Sequence, residues 1–156
     1  MTPQKIKEVT NEGKSLRLHI WDTAGQERQN SLTSSYFHGT EVVVIVFNLT
    51  DRKTFENMEV WLDDTRRSAD DQACIIIVGT KADEAGHAVT AEEATAFAQK
   101  NNATYFEVSA KTGAGTEELM GAIVHAIDRK SMALSLSTSP PPSSSSSCLC
   151  FKCCKT

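Results

Sequence analysis

Two short stretches limit the possible folds of this chain more than any others. Residues 42–47 read VVVIVF and residues 74–79 read CIIIVG, runs dominated by β-branched side chains without a charged interruption. A strand with one face in water alternates apolar and polar residues, whereas a parallel strand covered on both faces need not. The runs therefore predict parallel strands held between layers of helix. Helical patterns lie where that architecture needs them. Asp51 is placed to cap a helix with Phe55, Met58 and Leu62 on one face. Thr90 and Glu93 form a capping-box pattern ahead of Ala94, Phe97 and Ala98. Leu119, Met120, Ile123, Val124 and Ile127 trace an apolar stripe at helical spacing. TYFEVSA at 104–110 reads as a further strand. KIKEVT and SLRLHIW read as a pair, with Leu16, Leu18 and Ile20 alternating against Arg17, His19 and Trp21. Strands alternating with helices define an α/β fold with a mostly parallel sheet. Ligands in such sheets bind beyond the carboxyl ends of the strands.

At 156 residues the chain is long enough for one domain with a real core. Its net charge of -4 gives no general attraction for nucleic acid, and a monomer is expected. No apolar run approaches the roughly 20 residues of a spanning helix. Of the 5 cysteines, Cys74 stands apart and the rest crowd into positions 148–154, which is no disulfide framework and fits a reducing, cytoplasmic setting. Composition divides the chain into a body, 1–131, and a Ser/Pro-rich stretch, 132–156, ending in CLCFKCCKT. A flexible tether is expected there, because its Ser/Pro-rich part has too little apolar surface to offset the entropy of ordering.

Two stretches carry phosphate-binding signals. GKS at Gly13–Ser15 resembles the end of a P-loop, G-x-x-x-x-G-K-[ST]. The first glycine of that pattern would fall at Glu8, and the residues after Ser15 alternate as a strand rather than opening a helix. No helix N-terminus would then face an anion. GKS is read as part of a hairpin turn, with Gly13 at a positive-φ position. The second signal, WDTAGQE at 21–27, is succeeded in order by TKAD at 80–83 and SAK at 109–111, all at predicted strand ends.

On IWDTAGQER, SLTSSYFHG, DRKTFENMEVWL and EVSAKTGAG the sequence resembles the small GTPases of the Ras superfamily, specifically the Rab branch, from about Lys5 to Arg129. The resemblance implies a P-loop-GTPase-like sheet with helices on both faces, binding GTP or GDP with Mg²⁺ and hydrolysing GTP as a switch in vesicle traffic. It gives Asp22 a water-mediated hold on Mg²⁺, the Gly25 N–H a contact with the γ-phosphate, and Gln26 the orientation of the attacking water. Asp83 would accept two hydrogen bonds from guanine, a donor pair that adenine lacks. The stem of Lys81 would lie along the base, and the Ala110 N–H would meet the guanine oxygen. Ser109 and Lys111 would shape that loop, and Thr80 stands where the family most often has Asn. Cys153 and Cys154 resemble the prenylated di-cysteine ends of Rabs, which attach the protein reversibly to the cytosolic face of an endomembrane. Effector, exchange and escort proteins would be its partners. A metal-binding or simply reduced cysteine cluster is the other reading.

Against the family pattern, Met1 falls just past the first switch. The first strand, P-loop, first helix and first switch are therefore expected to be missing. That strand is central in the family, between the strands read here at 15–21 and 42–47. Four or five buried strand residues amount to roughly 6–15 kcal/mol, as much as a domain's whole stability. Two readings result. One is a Rab-like GTPase, inactive in the chain as written. The other is a lipid-anchored interaction module, or a remnant, that does not bind nucleotide.

Overall fold

The computed structural model describes residues 4–11, 14–23, 39–69, 73–135 and 146–153. Along the chain run β1 (Gln4–Asn11), β2 (Lys14–Thr23), β3 (Thr40–Asn48), α1 (Arg52–Glu56), α2 (Met58–Ser68), β4 (Cys74–Thr80), α3 (Ala91–Lys100), β5 (Thr104–Val108), α4 (Thr116–Ser135) and β6 (Ser146–Cys153). The strands form one sheet in the order β1-β2-β6-β3-β4-β5. Only β1 and β2 are antiparallel among the described pairs; β2–β6, β6–β3, β3–β4 and β4–β5 are all parallel.

The hairpin of β1 and β2 settles the GKS question for the residues that are described. Pairing runs from Gln4↔Trp21 to Asn11↔Lys14, so Lys14 and Ser15 belong to a strand. The Gly13 conformation expected from the sequence lies outside the described residues.

The two apolar runs do become parallel strands covered on both faces. On one face Val43, Ile45, Phe47 and Ile77 pack with Phe55 of α1, Met58 and Leu62 of α2, and Ala94 and Ala98 of α3. On the other, Leu18, Val42, Val44, Ile76, Val78 and Val108 pack with Leu119, Ile123 and Ile127 of α4. Apolar burial on both faces is the main favourable term holding the layers together.

Helix starts agree with the sequence, with two local changes. The Asp51 side chain accepts from the Lys53 N–H at 3.1 Å, as a cap should. The helix behind it stops at Glu56 and restarts at Met58, although Phe55, Met58 and Leu62 are all buried as expected. Thr90 caps α3 by accepting from the Glu93 N–H at 3.2 Å. The reciprocal half of the box is replaced by a fork across 41 residues of sequence: both Glu93 carboxylate oxygens take N–H bonds from Arg52 at 2.6 Å. A bidentate guanidinium–carboxylate pair is a stronger bond than a carboxylate turning back to one amide.

The largest departure from expectation lies at the centre of the sheet. The slot between β2 and β3 is filled by residues 146–153, from the stretch read as a tether. The register places Leu149 beside both Ile20 and Val42, and Phe151 beside both Asp22 and Val44. The remainder of the expected tether, 136–145 and 154–156, lies outside the described residues. The physical reason is edge satisfaction. Without a neighbour, β2 and β3 would each present unpaired N–H and C=O groups at the heart of the fold. Composition pointed to the Ser/Pro stretch and masked the short apolar alternation of Leu149 and Phe151 just beyond it.

Candidate functional site

The carboxyl ends of β4 and β5 lie side by side, with Thr80 paired to Val108. Two loops leave there, and between them they carry six of the residues singled out in the sequence. Thr80, the last residue of β4, donates its hydroxyl to the Phe47 carbonyl at 2.8 Å. Its own carbonyl accepts from the Leu49 N–H at 3.1 Å. The hydroxyl is thus spent on stitching β4 to β3. Lys81 then takes φ 63, the left-handed region that side chains usually avoid. The sharp turn lets the Ala82 N–H reach back to the Val108 carbonyl at 3.1 Å and brings Asp83 over the second loop.

That second loop is built around Ser109, which is fully buried. Its hydroxyl donates to Asp83 Oδ1 at 2.5 Å and accepts from the Thr112 N–H at 3.1 Å. Its backbone closes a turn, with its N–H donating to the Ala114 carbonyl at 3.0 Å and its carbonyl accepting from Gly113 at 2.8 Å. Gly115 completes the loop at φ 72, so close to the strand that a Cβ would lie 2.1 Å from the Glu107 carbonyl oxygen. Only glycine fits there.

The Asp83 carboxylate is therefore held in place before any ligand arrives. The Ser109 hydroxyl keeps its carboxyl below the usual carboxylate range; its own backbone N–H, Lys111 and Lys81 act in the same direction, while partial desolvation opposes them. Lys111 Nζ stands 3.9 Å from Asp83 Oδ2, and Lys81 Nζ stands 3.8 Å from Glu84 Oε1. Each carboxylate oxygen can accept more than one hydrogen bond, so Asp83 keeps acceptor capacity for a planar ligand with two adjacent donors. The sequence signalled Asp83 but not the means of fixing it. The family resemblance gives Ser109 only a loop-shaping part, and no local sequence signal announces the close approach of Gly115 to β5.

The remaining expected residues are less concentrated. Asp22 is exposed near the carboxyl end of β2, at the same edge of the sheet. Gly25 and Gln26 lie outside the described residues, as does Cys154; Cys153 is the last residue of β6. Among the described residues, no group of three or more metal-ligating side chains converges. The donor set fits the base of a guanine nucleotide. For the phosphates and Mg²⁺, Asp22 is the one described member of the expected set.

An α/β domain with a mostly parallel sheet and two joined loops at adjacent strand ends is the class that fold and site define. The Ras family model matches residues 2–129, and the chain belongs to that family. It is similar to GTP-binding protein YPTM1 of Zea mays, 43% identical over 130 residues covering 83% of this chain and 62% of that protein. It is 35% identical to Ras-related protein SEC4 of Saccharomyces cerevisiae over 81% of the chain and 59% of the relative. Ras-related protein Rab-18 of Lymnaea stagnalis is 36% identical over 154 residues, 94% of this chain and 76% of that protein. These Rab and Ypt relatives place it as a Rab-type member of the Ras superfamily. Against the first of them the chain spans about three fifths of the relative's length.

Proposed function

We propose that this chain carries the base-recognition half of a Rab-type GTPase and selects guanine over adenine nucleotides through Asp83. The observation that carries this is the Ser109–Asp83 bond, which fixes a carboxylate at the mouth of two adjoining loops. Guanine offers N1–H and an exocyclic amine side by side, matching the two oxygens of one carboxylate. Adenine at the same place leaves the carboxylate facing an acceptor nitrogen. Sites built on such bonds discriminate by roughly 10⁴ or more when fully buried, and by less where water reaches them. In this reading the Lys81 stem covers one face of the base and the Ala110 N–H meets the guanine oxygen, with Lys111 and Thr80 holding the two loops in register.

The further activity assigned by the same reading is that of a membrane-attached switch in vesicle traffic. Asp22 would hold Mg²⁺ through water, and Gly25 would meet the terminal phosphate. Gln26 is the residue assigned to positioning the attacking water, because a neutral amide can donate and accept at once. Lipid on Cys153 and Cys154 would supply the membrane attachment, and effector and exchange proteins the partners. The relatives' names, GTP-binding and Ras-related, support the assignment.

The test isolates the base. Guanosine and adenosine, which lack phosphate, are titrated against the full chain while the amide signals of residues 80–83 and 109–112 are monitored by NMR. Guanosine is expected to shift them at lower concentration than adenosine, and Asp83→Ala to abolish the difference. Equal response to both nucleosides, or an unchanged preference in Asp83→Ala, would overturn the reading.

A further inference from the structure

We propose that residues 146–153 form a detachable central strand: seated, it joins the β1–β2 hairpin to β3–β5, and its cysteines become available to modifying enzymes only on release. The pairing is extensive on both sides. On one side the segment runs in register from Arg17↔Ser146 to Thr23↔Lys152, and on the other from Thr40↔Cys148 to Val46↔Cys153. In the described sheet it is the sole link between the hairpin and the other three strands. Cys148, Cys150 and Cys153 all lie within the paired length. An enzyme that modifies one of them must draw extended backbone into its own cleft, and backbone bonded on both edges cannot be drawn.

The composition of the strand makes it the weakest of the parallel set. The parallel strands β3 and β4 contain VVVIVF and CIIIVG, while β6 reads SSCLCFKC, with no β-branched residue. The register also sets Lys152 in one row with Ile45. Lysine is depleted from strands, whereas valine is enriched in them. Leu149 shares a row with Val42, and Phe151 with Val44. The connection permits both states. β5 and β6 point the same way, so α4 returns the chain to the starting edge of the sheet. Residues 136–145 then join α4 to β6, a stretch able to span up to roughly 33 Å when extended.

The inference rests on the sheet and not on nucleotide recognition, so its test contains neither nucleotide nor lipid. Backbone hydrogen exchange is measured on the full chain and on Phe151→Asp and Lys152→Val. In the native chain the amides of 147–152 are expected to exchange at least about tenfold more slowly than in a free peptide, yet faster than those of β4. Lys152→Val should slow exchange there a further several-fold, because valine favours a strand and lysine does not. Phe151→Asp should bring 147–152 to the free-peptide rate and accelerate the facing amides of β2 and β3. Free-peptide exchange at 147–152 in the native chain would overturn the proposal. So would an unchanged rate in Lys152→Val, a variant that has no reason to unfold the domain.

Discussion

Replacing Gly115 by alanine tests whether the loop holding Asp83 is as tightly built as its hydrogen bonds imply. Two costs can be separated. The residue sits at φ 72, where a side chain costs about 1–2 kcal/mol. The added Cβ would also lie 2.1 Å from the Glu107 carbonyl oxygen and 3.4 Å from Val108 Cα, all backbone atoms that cannot swing aside. Forcing that contact apart adds about 1–3 kcal/mol. The sum, about 2–5 kcal/mol, is a large part of a domain's ordinary 5–15 kcal/mol. Gly113→Ala is the internal control: its φ is 82, yet nothing lies within 4 Å of its Cβ position, so only the conformational cost applies. Gly121 in α4 provides the opposite sign. It is helical and also has nothing within 4 Å, so alanine there should stabilise by up to about 1 kcal/mol. Urea unfolding of the three variants beside the parent chain reads the series. With a slope of about 1.5 kcal/mol per molar, Gly115→Ala should lower the midpoint by about 1.5–3 M, Gly113→Ala by about 1 M, and Gly121→Ala should raise it. Equal losses at Gly115 and Gly113 would refute the close approach of the loop to β5.

Thr90→Ala should cost about 0.5–2 kcal/mol in the same assay, because the Glu93 N–H loses the acceptor that caps α3. Leu18→Ala, at a fully buried position in β2, should cost about 2–5 kcal/mol, whereas Ile6→Ser on the exposed part of β1 should fall within about 0.5 kcal/mol of the parent. Asp83 titrates below its ordinary value of 3.8, so its contribution to stability is complete above that pH and is lost as pH falls through the lowered value. Ser109→Ala should move the Asp83 titration upward in a carboxylate NMR experiment and narrow that acid window; an unmoved titration would show that the hydroxyl is not its main support.

Much of this fold could be read in the letters because its cues are local. Period-two alternation set Leu16, Leu18 and Ile20 on a strand, and the two apolar runs demanded cover on both faces, which they have. Asp51 and Thr90 marked helix starts through side-chain geometry that involves only the next turn. What escaped was non-local. Nothing near Glu93 announces that Arg52 will claim its carboxylate, and the pause at Asn57 interrupts a stripe whose apolar residues are continuous. The site divides along the same line. TKAD and SAK marked two loops that adjoin in the structure, but that Ser109 would bond Asp83 depends on how β4 and β5 lie together. β6 escaped for a related reason: eight residues of modest strand propensity gain their place from the open edges of two other strands.

The position of β6 also orders events during synthesis. Chains fold as they emerge, N-terminal parts first. Here the hairpin and the β3–β5 unit leave the ribosome long before the residues that unite them, so each must wait with an exposed seam. A pause, a chaperone or a neighbouring nascent chain meets that seam in the interval, and whichever strand arrives first decides whether the product is one closed sheet or two chains exchanged.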